Sequence, residues 1–245
     1  MAQIAHVSLA VSEGKWTNSV EFCRHRVLLI TIASIVFCLP GASTLQSFGL
    51  ISFKKDGVVP DVIDAVPPKL LRVRYGSIDV QPGIILSTAL VRNPPFVTFN
   101  TEPGAYYTLI MHDPDAPSRA NPVFGEFQHW LVTNIPWGDV TKGFEATRYM
   151  GSEPPQNTGF HRYVFLLYKQ PYGKMIFRGL PTVTDGEGRM NNSVRRFTKL
   201  YGLDRHLVAG NFFRAKYDDN MATSERAVGW INPRKTNFIS PRKTW

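Results

Sequence analysis

The sequence predicts a single mainly β domain. Three observations carry that prediction. Eighteen prolines and nineteen glycines in 245 residues punctuate the chain too often for a helical bundle. Runs rich in β-branched, aromatic and leucine residues recur between these breaks. Apolar residues make up 43% and charged residues 19%, the balance of a folded globule rather than a disordered chain.

In chain order, residues 1–43 read as a secretory leader. Val27–Leu39 is uncharged and almost wholly apolar, follows Arg24-His25-Arg26, and precedes Pro40-Gly41-Ala42-Ser43. A basic flank, a short apolar run and small residues form a signal pattern, with cleavage after Ser43. The run is shorter than the roughly 20 residues a bilayer span needs. An uncleaved signal anchor that tethers the domain to a membrane is the alternative. Cys23 and Cys38 both lie in this segment. The mature domain then has no disulfide and relies on its apolar core.

Residues 44–220 form the expected domain. Residues 44–68 read as an extended lead-in, with turns at Lys55-Asp56-Gly57 and Pro67-Pro68. Strands are expected at Leu70–Tyr75, Tyr106–His112, His129–Ile135 and Arg162–Lys169, each bounded by Gly, Pro or Asp. The run from Tyr163 to Tyr168 is apolar at every position, which predicts a central strand covered on both faces. One helix follows, capped by Asn191 or Asn192. Val194, Phe197 and Tyr201 share its face, and Gly202 ends it. His206–Lys216 reads as a last strand. Residues 221–245 carry Arg-Lys pairs and two tryptophans without periodicity and read as a tail.

The net charge of +9 favours anionic surfaces, and it falls only to +8 without the leader. Peripheral contact with an anionic membrane is therefore expected. The basic residues are scattered, so nucleic acid is not an expected partner. Asn191-Asn192-Ser193 is a glycosylation sequon.

The densest polar stretch is His112-Asp113-Pro114-Asp115-Ala116-Pro117-Ser118-Arg119. Two prolines stiffen this loop directly after a strand, which fixes a carboxylate with little conformational freedom. An Asx-type turn made by Asp115 is the structural alternative. His129 and His161 each open a strand and so stand at a sheet rim. They can meet only if their strands are parallel neighbours or flank an intervening strand. Imidazole N–H groups can donate to a phosphate, and a nearby carboxylate favours the protonated ring. Asp113 can also accept from an ammonium or hydroxyl group. Tyr163 lies two residues past His161, on the same side of the strand. Gly151-Ser152-Glu153-Pro154-Pro155 offers a stiff wall, with Glu153 unfavourable to an anion unless it turns away.

Three blocks carry a family resemblance: Asp113–Arg119, Glu126–His129, and Gly151-x-x-Pro154-Pro155 with Gly159-x-His161-Arg162-Tyr163. In order and spacing they resemble the phosphatidylethanolamine-binding protein family, over roughly residues 51–220. The leader followed by SFKKDGVVPDVI is similar to the secreted animal antigens of that family. The resemblance implies a large central sheet packed on a smaller one, with a few peripheral helices. It also implies a pocket for phosphate or phosphorylethanolamine at one end of the sheet. Asp113, His129, His161 and Tyr163 carry over as pocket residues, and Gly151 and Pro155 as walls. Asp115 carries over as the group that orients a histidine, and Ala116–Pro117 as a cis bond. Three features depart from the pattern. Phe127 replaces a common Trp, Glu153 replaces a common Gly, and no closing C-terminal helix is recognisable after residue 220.

The expected function is a secreted binder of phospholipid headgroups, phosphatidylethanolamine among them, or of other phosphate-bearing small ligands. The family also includes protein-directed inhibitors of serine proteases and kinase pathways, which makes inhibition of a protein target the alternative. Catalysis is not expected. The chain has no Gly-x-Ser-x-Gly elbow, glycine-rich phosphate loop or His-Glu-x-x-His helix. No cofactor is expected, and a metal triad of Asp113, His129 and His161 is the minor alternative.

Overall fold

The structure, a computed structural model, describes residues 49–184 and 186–218. The leader, its cleavage or anchoring, and the tail lie outside these residues.

Short apolar runs bounded by turns form nine strands: β1 (Arg72–Tyr75), β2 (Ile78–Asp79), β3 (Ile84–Ile85), β4 (Phe96–Thr98), β5 (Tyr106–Asp113), β6 (Phe127–Pro136), β7 (Phe144–Thr147), β8 (His161–Lys169) and β9 (Leu207–Ala215). They make a small sheet, β2-β1-β4, and a large one, β3-β9-β8-β5-β6-β7. Every pairing is antiparallel except β3 with β9. The mainly β, two-sheet architecture is as expected.

Alternation along the strands separates two cores. On one face of the large sheet, Leu109, Met111, Tyr163, Phe165 and Phe213 pack against Leu71, Val73, Tyr75 and Val97 of the small sheet. On the other face, Ile110, Val164, Leu166 and Phe212 pack against Phe53, Val58, Val62, Val194 and Leu203. β8 is buried along nearly its whole length, because both of its faces are covered.

The lead-in is not extended. Residues 49–55 are helical (α1), and a second short helical piece, α2 (Val58–Asp61), follows. Leu50 and Phe53 fall one turn apart and turn one face onto the sheet, with the Phe53 ring edge-on to Phe212 at 5.1 Å. The expected turn at Lys55-Asp56-Gly57 is present and separates the two helices, with Gly57 in the left-handed region at φ 73°. The later helix, α3 (Val194–Leu200), is capped by Ser193 rather than by Asn191 or Asn192. The Ser193 side chain accepts from the Arg196 amide. Asn191 adopts φ 57° in the turn before it, and Asn192 donates to the Gly188 and Met190 carbonyls instead. Gly202 (φ 65°) ends the helix, and the Leu203 amide bonds back to Thr198. Strands β2, β3, β4 and β7 were not expected. They span two to four residues, too few for alternation to register.

One buried side chain ties the sheets. Asn211 of β9 donates to the carbonyls of Leu71 (2.8 Å) and Val80 (2.9 Å), and its oxygen accepts from the Phe212 amide (2.8 Å). Replacing Asn211 with Ala strands two buried carbonyls, an expected loss of about 2–4 kcal/mol. Urea denaturation of Asn211→Ala and Asn211→Leu tests this. Leu restores volume but no donor, so recovery of stability by Leu would assign the role to packing.

Candidate functional site

The topology decides whether the two histidines meet. β5 lies between β6 and β8 and runs antiparallel to both. Its C-terminal end therefore stands beside the N-terminal ends of its neighbours. Asp113 closes β5, His129 lies near the start of β6 and His161 opens β8, so all three share one rim. An intervening strand, the second of the two arrangements open from sequence, is the one found.

Asp113 and His161 form a buried pair, with His161 Nδ1 2.8 Å from Asp113 Oδ2. The second Asp113 oxygen accepts from the Asp115 amide at 2.8 Å. On the other side of the ring, His161 Nε2 lies 2.9 Å from Thr158 Oγ1. The Thr158 hydroxyl donates to the Pro155 carbonyl at 2.6 Å, which leaves its lone pairs facing His161. Both ring nitrogens are thus held, one by the carboxylate and the other by the hydroxyl. Burial pushes the Asp113 carboxyl up, and the bond and charge of His161 oppose that rise.

His129 behaves differently. Its Nδ1 lies 2.9 Å from the Met150 carbonyl and must donate to it. Burial holds its pKa down to about 3; the bond to Met150 opposes this, while the nearby Arg189, His112 and His161 charges add to it. His129 is therefore neutral at physiological pH, with a lone pair on Nε2. It is an acceptor and not the cationic donor expected from sequence, because its partner is a carbonyl rather than an Asp.

Tyr163 joins the two rings. It packs edge-on to His129 (5.1 Å) and stacks with His161 (6.5 Å) and Phe213 (5.0 Å). Burial pushes its hydroxyl well above the ordinary range, as do the charges of Asp113, Asp115 and Glu153, so it remains a donor. Phe127, in place of the common Trp, supplies an aromatic wall, edge-on to His129 at 5.1 Å. Gly151 is a wall of necessity. A Cβ there would come within 2.8 Å of the Val91 carbonyl and 3.0 Å of Arg92 Cα. Ser152 beside it buries a hydroxyl that has no hydrogen-bond partner among the described residues.

Asp115 does not touch a histidine. Its carboxylate accepts from the Arg162 amide (2.9 Å), Nε (2.9 Å) and Nη2 (2.6 Å). A guanidinium matches a carboxylate in two-point geometry, and Arg162 stands next to His161 on the opposite face of β8, within reach of it. Arg162 Nη1 continues to Asp61 Oδ2 (2.8 Å) and the Asp56 carbonyl (3.1 Å). Asp115 thus supports Asp113 from behind. The bond Ala116–Pro117 is cis, as the resemblance implied.

Several participants carried no separate signal in the sequence. Thr158, the Met150 carbonyl and Phe213 come together only in the fold. Arg189 is fully buried, 60 residues from His129, and donates to the carbonyls of Gln128 and His129 (3.1 Å each). Asp113 and His161 spend their facing atoms on each other, and no cluster of three His, Cys, Asp or Glu suited to a metal occurs among the described residues.

A family model described as "Phosphatidylethanolamine-binding protein" matches residues 76–213, more than half of the chain. A Drosophila melanogaster protein named as odorant-binding protein A5 is 34% identical over 68% of this chain and 79% of its own. The 26 kDa secreted antigen of Toxocara canis is 38% identical over 67% of this chain and 63% of its own. Among solved structures, a carboxypeptidase Y inhibitor, crystallised with its cognate proteinase, superposes with a TM-score of 0.61. It is 31% identical over 71% of this chain and 97% of its own. With its two-sheet fold and its Asp113, His129, His161 and Tyr163 rim, this chain belongs to the phosphatidylethanolamine-binding protein family.

Proposed function

We propose that the rim cluster receives a phosphate-bearing small ligand and that the domain acts outside the cell as a binder rather than an enzyme. The observation that carries this reading is a set of buried polar groups with unspent capacity. Among the described residues, the buried Ser152 hydroxyl has no hydrogen-bond partner, and the contact that His129 makes is through Nδ1 to the Met150 carbonyl. Tyr163 adds a hydroxyl that stays protonated. Two hydroxyl donors beside a neutral imidazole acceptor suit a phosphate monoester that keeps one P–OH proton. Glu153 places negative charge near Tyr163. An ammonium-bearing phosphate monoester such as phosphorylethanolamine balances that charge, whereas a bare phosphate dianion does not. Similarity to a secreted antigen supports the extracellular placement.

Inhibition of a protease by protein–protein contact is the second reading. It is favoured by the likeness to the carboxypeptidase Y inhibitor. Assay of the purified protein against a panel of serine proteases tests it, and failure to inhibit any of them removes it.

Titration with inorganic phosphate and with phosphorylethanolamine, read by histidine NMR signals, tests the first reading. The His129 and His161 resonances are expected to move with both, and resonances that stay fixed in both titrations would exclude this pocket. Glu153→Gln is expected to weaken phosphorylethanolamine and tighten phosphate, each by roughly threefold to tenfold. A shift of both ligands in the same direction would assign Glu153 no role in selecting charge.

His129 also sets a pH dependence. Its pKa falls from 6.5 in the unfolded chain to about 3 in the fold. The unfolded state binds the extra proton, so this contribution is intact above pH 6.5 and is lost as pH falls toward 3. Between pH 7.5 and pH 4 the loss is roughly 3 kcal/mol. Urea midpoints across this range are expected to fall less steeply in His129→Asn. Equal slopes in the two proteins would show that His129 titrates normally.

A further inference from the structure

The loop after β8 has no part in the pocket, yet it is built with unusual regularity. Residues 172, 174, 176 and 178 point outward, and they are Tyr, Lys, Ile and Arg. Met175 and Phe177 turn inward between them and join the second core. Tyr172 and Ile176 are each 81% exposed. The loop is nonetheless pinned in place. Gln170 donates to the Asn134 side chain (2.8 Å) and the Gly173 carbonyl (2.7 Å), and Asn134 bonds both the amide and the carbonyl of Met175.

Helix α3 extends this surface. Phe177 stacks on Phe197 (6.2 Å) and meets Tyr201 edge-on (4.9 Å), and the Tyr201 hydroxyl donates to the Arg178 carbonyl at 3.0 Å. Leu200, 71% exposed, stands next to this joint, with Arg196 and Lys199 on the exposed side of the same helix. Residues 170–184 and 188–203 contain no Asp or Glu. The nearest carboxylates in sequence are Asp185, Glu187 and Asp204.

We propose that Tyr172, Ile176 and Leu200, with Lys174, Arg178, Arg196 and Lys199, form a docking surface for an anionic lipid bilayer. Large apolar side chains held out in water on a fixed loop are unfavourable unless something covers them. Cations interleaved among them match a negatively charged interface, and aromatic and aliphatic tips can enter its acyl boundary while the charges stay at headgroup level. The loop presents Tyr172 and Ile176 as exposed tips. It follows the C-terminal end of β8, opposite the His161 end, so docking here turns the pocket toward solution. The proposal is thus independent of what the pocket binds.

Co-sedimentation of the full chain with vesicles of phosphatidylcholine, alone or with about one-third phosphatidylserine, tests it. The anionic vesicles are expected to bind at least tenfold more tightly, and less so as salt rises. Lys174→Glu with Arg178→Glu is expected to weaken binding at least tenfold, and Tyr172→Ser with Ile176→Ser threefold or more. The apolar leader is common to all of these chains and cancels in the comparison. Variants that melt at the wild-type temperature and retain the phosphate-induced histidine shifts are folded. Binding unchanged in both variants, or indifferent to phosphatidylserine, overturns the proposal. Loss on charge reversal alone, with the serine variant unaffected, also overturns it and marks an acidic protein partner instead.

Discussion

Arg162 holds the rim together from within. It is almost wholly buried, and burial alone works to lower its pKa; the hydrogen bonds and charges of Asp115 and Asp61 outweigh that effect and raise it. A buried ion pair gives little net stability against an apolar replacement, but removing one partner leaves an uncompensated charge at a typical cost of roughly 3–5 kcal/mol. Its value here lies in position. The Asp115 carboxylate faces Arg162, and its amide holds Asp113. The same guanidinium reaches Asp61 and the Asp56 carbonyl, and Arg119 donates to that carbonyl too. One cation thereby fixes three segments distant in sequence: the lead-in helices, the proline loop and the start of β8.

This arrangement explains why two histidines at matching strand starts meet different partners. His161 faces a carboxylate already oriented by the Asp115 amide. His129 faces a backbone carbonyl and lies near the Arg189 cation. The same residue type at the same rim thus completes a carboxylate network in one place and spends Nδ1 on a backbone carbonyl in the other.

Much of this was legible in the sequence, and the failures have physical causes. Long strands such as β5 and β8 were readable because eight or nine residues give a clear pattern. The rim position of His129 and of His161 followed from each opening a strand, whereas their sharing one rim depended on the strand order, which the sequence left open between two arrangements. The direct partner of Asp115 was missed because Arg162 lies 47 residues away in sequence. The helical lead-in was missed because its only apolar signal, Leu50 with Phe53, occupies a single turn. The neutral state of His129 depends on a carbonyl, and a backbone atom leaves no trace in composition.

β9 ends at Ala215, which pairs with His161, and Asp218 is then held by the Thr88 amide (2.9 Å) and hydroxyl (2.7 Å). The chain therefore passes out of the sheet at the pocket rim and is anchored there by its last described residue. Changes of sequence after this point leave every described strand pairing in place, so the order of the sheet is set before the chain leaves it.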